Sequence, residues 1–464
     1  MTVIPAFDAG LLRRYDRPGP RYNSYPNPAQ FDAGFNGTAF RDAARLSNDD
    51  PIPRNLSLYV HVPYCFHPCF ACGGNQELTG NRTRADAYLA RLVREVAMVA
   101  PLFDCDRDVT QLHLGGGSPN FLNAGQLGEL MESLHRHFHF AGAVNRDLSI
   151  EVDPRCVDQS DIEALAFMGF NRVSLRVQDF DPGVPVADDR MHPVKHTLGI
   201  IEACRKNGFR SIDVNLIYGF PGQSRQAFGR TLESLIRTRP DRLAVYNYAD
   251  LPQLFSPQKP GLATELPSAE SRIALLQLAF ERLLVAGYRY IGMDHFALPG
   301  DEIALAQEHG SLQRNFLGYT GQAESDLIGL GVSAISHIGD TFCENPRNLP
   351  AWESAIDSGR LPVCGGLQLN ADDLLRADLI QQLICRGVID IPTLEQRHDI
   401  HFLAYFHEDL LRMCDLAIDG LVETSETQIQ VTSRGRLLLR IIAECFDRYL
   451  HQPRAEPARL TSAI

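Results

Sequence analysis

No stretch of the 464-residue chain approaches the roughly 20 consecutive apolar residues of a membrane-spanning helix, which excludes a helical membrane span. The segment "MTVIPAFDAGLLRRYDRPGPRY" likewise lacks the long apolar run of an export leader, and a cytoplasmic location is expected. Positive charge is in deficit. With 44 Lys and Arg against 57 Asp and Glu, the formal charge of −13 argues against broad adhesion to nucleic acid or anionic membranes, while leaving room for a local basic pocket. Paired cysteines are missing too. The total of 11 is odd, and most sit singly in apolar segments such as "LICRG" and "AECFD", which excludes a secreted disulfide scaffold and suits a reducing compartment. There is no low-complexity tract. What remains, 44% hydrophobic and 22% charged, is an ordinary globular composition long enough for two or three domains.

Strand-like and helix-like segments alternate along most of the chain. Runs rich in β-branched and aromatic residues predict strands at 56–62, 109–114, 148–152, 172–177, 211–219, 241–248 and 288–293. Between them apolar residues recur at three and four, as in Leu89, Leu92, Val93 and Val96 or Leu127, Leu130, Met131, Leu134 and Phe138. This is the rhythm of consecutive βαβ units, and six or seven of them predict a partial to closed parallel (β/α) barrel over residues 55–362. Chemistry in such barrels gathers at the carboxyl ends of the strands, where "YVHVPYC", "GGGSPN", "EVDP", "VQDF" and "YGFPGQ" fall. Residues 1–54, with Pro and Gly around "YDRPGPRYNSYPNPAQF", predict an extended arm. Residues 363–464 predict a small, mainly helical domain with a β-hairpin and winged-helix character.

Within "YVHVPYCFHPCFACGGN", Cys65, Cys69 and Cys72 are spaced three and two residues apart. Three close thiolates favour a soft metal: structural zinc with His61 or His67 as fourth ligand, or an iron–sulfur cluster with one iron lacking a protein ligand. By themselves "GGG" at 115–117 is a tight turn, Glu151 with Asp153 is an acid–base pair such as a hydrolase barrel carries, Gln178 and Arg190 are surface residues, and His61 is a core histidine.

The cysteine spacing after the first strand and "GGGSP" after the second resemble the radical S-adenosylmethionine (SAM) superfamily. "GPRYNSYP" at 19–26, "LHLGGGSPNFL" at 112–122, "FNRVSLRVQDF" at 170–180, "NLIYGFPGQ" at 215–223, "QRNFLGYT" at 313–320 and "GLGVSAISHIGD" at 329–340 are similar to the oxygen-independent coproporphyrinogen III dehydrogenase family, over nearly the whole chain. The resemblance implies a 4Fe–4S cluster on Cys65, Cys69 and Cys72 and two SAM molecules side by side. Tyr59, Gly116, Glu151, Ala249 and Ile335 match positions around the cluster-bound SAM. Ala71, Gly117, Ser118, Gln178, Arg190 and Asn215 match positions around the second. The implied activity is decarboxylation of two propionates of coproporphyrinogen III to vinyl groups in haem biosynthesis. It further implies a flavodoxin- or ferredoxin-like electron donor and a monomeric protein. Because a tetracarboxylate needs cations, Arg21, Arg176 and Arg314 are the substrate-anchoring candidates.

Five positions depart from the family pattern. Gly74 replaces a cysteine, Ala71 an aromatic and Arg176 a glycine, and Asp213 and Asn215 are exchanged within "DVNLIYG". Several border the second SAM position, so an alternative is a paralogue that acts as a haem chaperone or on another porphyrin.

Overall fold

Strand β1 (Asn55–Val62) puts Leu56, Leu58, Val60 and Val62 on one face and Ser57, Tyr59 and His61 on the other, and is buried along nearly its whole length, as a strand covered by helices on one side and barrel interior on the other requires. A computed structural model describes residues 4–67, 75–180, 194–248, 266–322 and 325–451. In it β1, β2 (Asp108–Gly116), β3 (Asp147–Val152), β4 (Arg172–Gln178), β5 (Ser211–Tyr218) and β6 (Arg242–Asn247) pair in chain order, all parallel. The helices between them bury the predicted stripes. Thr83–Val99 buries Leu89, Leu92 and Val96, and Ala124–His137, begun by an Asn123–Gln126 capping box, buries Leu127, Leu130, Met131 and Leu134.

The barrel stays partial. The predicted strand at 288–293 forms as β7 (Arg289–Gly292) but is not a seventh parallel strand. Met293 and Asp294 adopt positive φ of 45° and 74° and turn the chain back, so that β8 (His295–Ala297) pairs antiparallel with both β7 and β6. A hairpin of β9 (Gln313–Asn315) and β10 (Gly318–Thr320) follows. Then β11 (Ser325–Leu330) joins β1 in parallel, and β12 (Ile335–Ile338), β13 (Thr341–Glu344) and β14 (Gly365–Gln368) extend the sheet antiparallel. At the amino ends of the strands a salt-bridge network fills the interior. Arg172 pairs with Asp147 at 2.8 Å and with Glu302, and Arg242 pairs with Asp301 at 2.9 Å and with Glu302 at 2.6 Å.

The first 54 residues correct the expectation of a purely extended arm, since they contain the helices Ala9–Arg14 and Gly37–Asn48. The arm also reaches the carboxyl-terminal part of the chain, where Arg17 pairs with Glu444 at 2.8 Å and the Tyr22 hydroxyl donates to Asp447 at 3.1 Å. That part comprises the helices Ala371–Arg386, Ile391–His398, His407–Ile418 and Leu439–Glu444 around a small antiparallel sheet whose central strand is Gln428–Val431. Among the described residues no helix is long and apolar enough to cross a membrane.

Behind β11, Glu95 is fully buried and accepts hydrogen bonds from Gly331 N–H, Asn345 Nδ2 and Trp352 Nε1, at 2.8, 2.8 and 3.1 Å. Burial pushes its carboxyl up to about 7, and the three donors only partly oppose this. The folded chain therefore holds a proton that the unfolded chain releases above the ordinary Glu value of 4.5. This group's contribution to stability falls as pH rises from there to about 7. Thermal melts of the metal-free protein are expected to show this pH dependence, and Glu95→Gln is expected to flatten it; an unchanged slope would contradict it.

Candidate active site

The turn after β1 is built by close backbone approach to the glycine run after β2. Gly117 N–H donates to Val62 C=O and Ser118 N–H to Tyr64 C=O, both at 2.7 Å. A Cβ on Gly117 would lie 2.6 Å from the Tyr64 carbonyl oxygen. Gly116 has φ of 105°, and a Cβ there would lie 2.7 Å from the His61 ring. Glycine is thus required by the strand ends themselves. The clamp fixes Cys65, whose buried thiol donates to Gln76 Oε1 at 3.2 Å and lies 3.8 Å from Ser118 Oγ. Both nitrogens of His61 are engaged, Nδ1 with the Tyr59 hydroxyl at 3.0 Å and Nε2 with Asn75 C=O at 2.9 Å, and burial lowers its pKa to about 4. Both ring nitrogens are thus engaged within the protein, as in a core histidine.

Inward-facing side chains of successive strands form a polar wall. The Tyr59 ring stacks on His113 with centroids 5.9 Å apart, and His113 reaches Ser149 Oγ at 2.6 Å and Glu151 Oε1 at 3.3 Å. Arg176, one strand further, ion-pairs with Glu151 and donates to Gly116 C=O at 2.9 Å. Burial raises the Glu151 pKa, but Arg176 and His113 outweigh it and hold the carboxyl down at about 2, so the group is an anion. The predicted acid–base partner is absent from this wall. Asp153 lies beyond the end of β3 and is bidentate with Arg155, at 2.9 and 2.7 Å, which overturns the hydrolase-like pairing with Glu151.

On β5, Asn215 and Asp213 face the same interior. Asn215 Nδ2 donates to Ser174 Oγ at 2.9 Å, which donates to Asp213 Oδ2 at 3.1 Å. Burial raises Asp213 to about 6. Asn215 Oδ1 and Asp213 Oδ1 are shielded from solvent and find no hydrogen-bond partner among the described residues. Gln178 sits at a bulge closing β4, buried, with φ of 61°. Ile335 opens β12, and Gly329 lets β11 approach it, since a Cβ there would lie 2.6 Å from the Ile335 carbonyl oxygen. Arg21 stacks over the Tyr246 ring at 5.6 Å, and Arg314 over the Tyr319 ring at 4.7 Å. Cys69, Ala71, Cys72, Gly74, Arg190 and Ala249 lie outside the described residues.

Of these, His113, Ser149, Glu151, Asp213, Asn215, Tyr246 and Arg314 line a cavity of about 260 Å³ in the barrel interior, whereas Tyr59, Gly116, Gly117, Ser118, Gln178 and Ile335 are not in its lining. Sequence reasoning missed several members. His113 and Tyr246 were hidden inside apolar strand runs whose alternation alone marks them as inward-facing, and His295 falls beyond the 288–293 run, after the reversal at Met293 and Asp294. Asp179 and Gln223 also escaped it: Gln223 Nε2 donates to Asp179 at 2.6 Å and its Oε1 accepts from Gly219 N–H at 2.7 Å, which shapes the "YGFPGQ" loop beside Gln178.

With this geometry in place, comparison with known proteins decides the family. Residues 59–235 match the Radical SAM superfamily and residues 369–438 match the HemN C-terminal domain. The chain is 47% identical over 444 residues to the oxygen-independent coproporphyrinogen III oxidase of Pseudomonas aeruginosa, covering 96% of each chain. The chain belongs to the oxygen-independent coproporphyrinogen III oxidase family. The Escherichia coli member is 42% identical over 446 residues, with 96% of each chain covered. A solved structure of coproporphyrinogen III oxidase (HemN) from Escherichia coli, described as a radical SAM enzyme, superposes with a TM-score of 0.90 at 41% identity, covering 96% of this chain and 99% of that one.

Membership of the radical SAM superfamily implies a 4Fe–4S cluster and SAM. The described residues fit them. A buried free thiol stands at the strand end, and the unpartnered acceptors of Asp213 and Asn215 face a cavity that also presents Glu151, as a ligand rich in hydroxyl and ammonium donors requires.

Proposed function

We propose that the chain oxidatively decarboxylates the ring A and ring B propionates of coproporphyrinogen III to vinyl groups, giving protoporphyrinogen IX for haem. The likeness to the Pseudomonas aeruginosa oxidase across 96% of both chains carries this reading. When bound and given one electron per SAM by an external donor, the cluster and SAM would supply one 5′-deoxyadenosyl radical for each propionate, to remove one hydrogen atom next to the macrocycle. Each propionate then loses carbon dioxide and one electron to an acceptor, which leaves the vinyl group. The protein's part is to hold, orient and exclude water. Cys65, Cys69 and Cys72 are assigned to the cluster, and Tyr59, Gly116, Glu151, Ala249 and Ile335 to the SAM bound there. Anaerobic incubation with SAM, a reductant and coproporphyrinogen III is expected to release protoporphyrinogen IX and carbon dioxide; methionine release without either product would favour a paralogue acting on another porphyrin or as a haem chaperone.

A second SAM is assigned beside the first, near Ala71, Gly117, Ser118, Gln178, Arg190 and Asn215. Equilibrium dialysis of the reconstituted protein is expected to give two equivalents, and one equivalent would overturn this assignment. The electron donor is assigned to the flavodoxin or ferredoxin class, and the working form to a monomer in the cytoplasm.

Arg176 gives the SAM site a pH signature. Its guanidinium is the largest influence holding Glu151 ionised against burial. Without it the Glu151 pKa rises, and the carboxylate is lost as pH falls through the new value. SAM binding by Arg176→Met is therefore expected to weaken as pH falls, while that of the parent stays flat. Parallel profiles would show that Arg176 does not serve Glu151.

A further inference from the structure

The hairpin formed by β9 and β10 places one cation inside the barrel in an unusual state. Arg314 is only 6% exposed, yet its Nε and Nη1 find no hydrogen-bond partner among the described residues. Its remaining nitrogen, Nη2, donates to Asn23 Oδ1 at 2.7 Å, and the guanidinium lies over the Tyr319 ring at 4.7 Å. The backbone is held as firmly, because Arg314 N–H donates to Gln381 Oε1 at 3.1 Å and Gln381 Nε2 returns a hydrogen bond to Arg314 C=O. Asn23 comes from the amino-terminal arm and Gln381 from the helix Ala371–Arg386, so three distant parts of the chain fix one side chain.

A buried guanidinium with two unused donors is costly unless something accepts from them. Nε and Nη1 lie on opposite edges of the group, and Nη1 stands beside the engaged Nη2 at its end, a position that suits a charge-assisted hydrogen bond to an incoming carboxylate. Carboxylates are nearby but do not fill it. Asp294 acts on Arg314 only at a distance, sharing that influence with Arg21 and Arg440, and Glu151 belongs to Arg176. The cavity in front of Arg314, about 260 Å³, lies below the usual range for pockets that enclose a whole drug-sized ligand. It suits an acidic side chain of a larger molecule rather than an entire tetrapyrrole.

We propose that Arg314 is the specificity-determining anchor for one propionate carboxylate of the substrate, with Asn23 and Gln381 as its positioning residues. This rests on the reading of the substrate as coproporphyrinogen III. The carboxylate accepts from Nη1 while the macrocycle stays outside the pocket, which fixes how far the remaining propionates reach toward Glu151 and the SAM sites.

The test uses the full-length, anaerobically reconstituted protein and two probes, coproporphyrin III and its tetramethyl ester, followed by fluorescence quenching. The parent is expected to prefer the tetra-acid. Arg314→Gln is expected to weaken tetra-acid binding ~10- to 100-fold, the scale of a lost charged hydrogen bond, and to leave ester binding unchanged. Arg314→Lys is expected to recover part of the loss, and Asn23→Ala to show a smaller one with the same selectivity. In turnover, Arg314→Gln is expected to raise KM for coproporphyrinogen III by a larger factor than it lowers kcat. Tetra-acid binding by Arg314→Gln within twofold of a parent that converts coproporphyrinogen III overturns the anchor alone. A parent that neither binds the tetra-acid nor converts coproporphyrinogen III overturns both the anchor and the substrate assignment.

Discussion

Cys65→Ala is expected to yield folded protein that retains no iron after anaerobic reconstitution, releases no methionine on reduction, and turns over at less than about a thousandth of the parent rate, the scale of removing an essential catalytic group. The physical argument has two halves. Three thiolates are the minimum protein ligation for a cluster that leaves one iron open, so losing one leaves two, and alanine offers no donor atom. Folding should survive, because the turn is held by backbone contacts and not by the thiol. Gly117 and Ser118 donate to Val62 and Tyr64, and Tyr64–Cys65 pairs with Glu77–Leu78 in parallel register. The thiol meets Gln76 Oε1 at 3.2 Å and Ser118 Oγ at 3.8 Å, long contacts that do not set the turn. Iron and sulfide content, with circular dichroism as the folding control, separate the two halves. Iron retained at the parent level would remove Cys65 from the ligand set.

The barrel was legible because its strands are short apolar runs on a regular spacing, and the six parallel strands lie close to where those runs predict them. Its incomplete closure was not legible. The reversal at Met293 and Asp294 uses left-handed backbone at two residues that carry no Asn-Gly or Gly-Gly turn signal. In the arm, Pro and Gly between 18 and 28 overshadowed a helix signal further on. Asn36 caps Gly37–Asn48, which buries Phe40, Ala43 and Ala44 at helical spacing. Spacing exposed the cysteines as a set, since all three lie within eight residues. The charge pairing of the site needed the sheet register. Glu151 sits opposite Ser174, which brings Arg176 to the end of the same wall. Arg314 and Asn23 are 291 residues apart, and no local pattern joins them.

Asp326→Ala is expected to destabilise the protein by ~3–5 kcal/mol, the cost of leaving one member of a buried ion pair uncompensated. The Arg107 and Asp326 side chains are 3% and 1% exposed and meet at 2.7 Å. Asp326 also accepts from Gly339 N–H at 2.9 Å and from the Ser47 hydroxyl, while Arg107 donates to Arg54 C=O at 2.8 Å and Asn48 Oδ1 at 2.9 Å. The partners come from four parts of the fold: the helix Gly37–Asn48, the approach to β1, the approach to β2, and β11 with the β12–β13 turn. Removing the carboxylate strands a guanidinium among them. It also loosens β11 from β1, where Leu56 and Asp326 are register partners. The pair's net worth is a separate question, since burying two charges costs about as much as their attraction returns. The double variant Arg107→Met/Asp326→Leu is therefore expected to lie closer to the parent than Asp326→Ala does, with a positive coupling in the cycle. Urea unfolding at unchanged m reads all three. A loss below ~1 kcal/mol for Asp326→Ala would show that water reaches Arg107, and the network would then carry no more than surface pairs do.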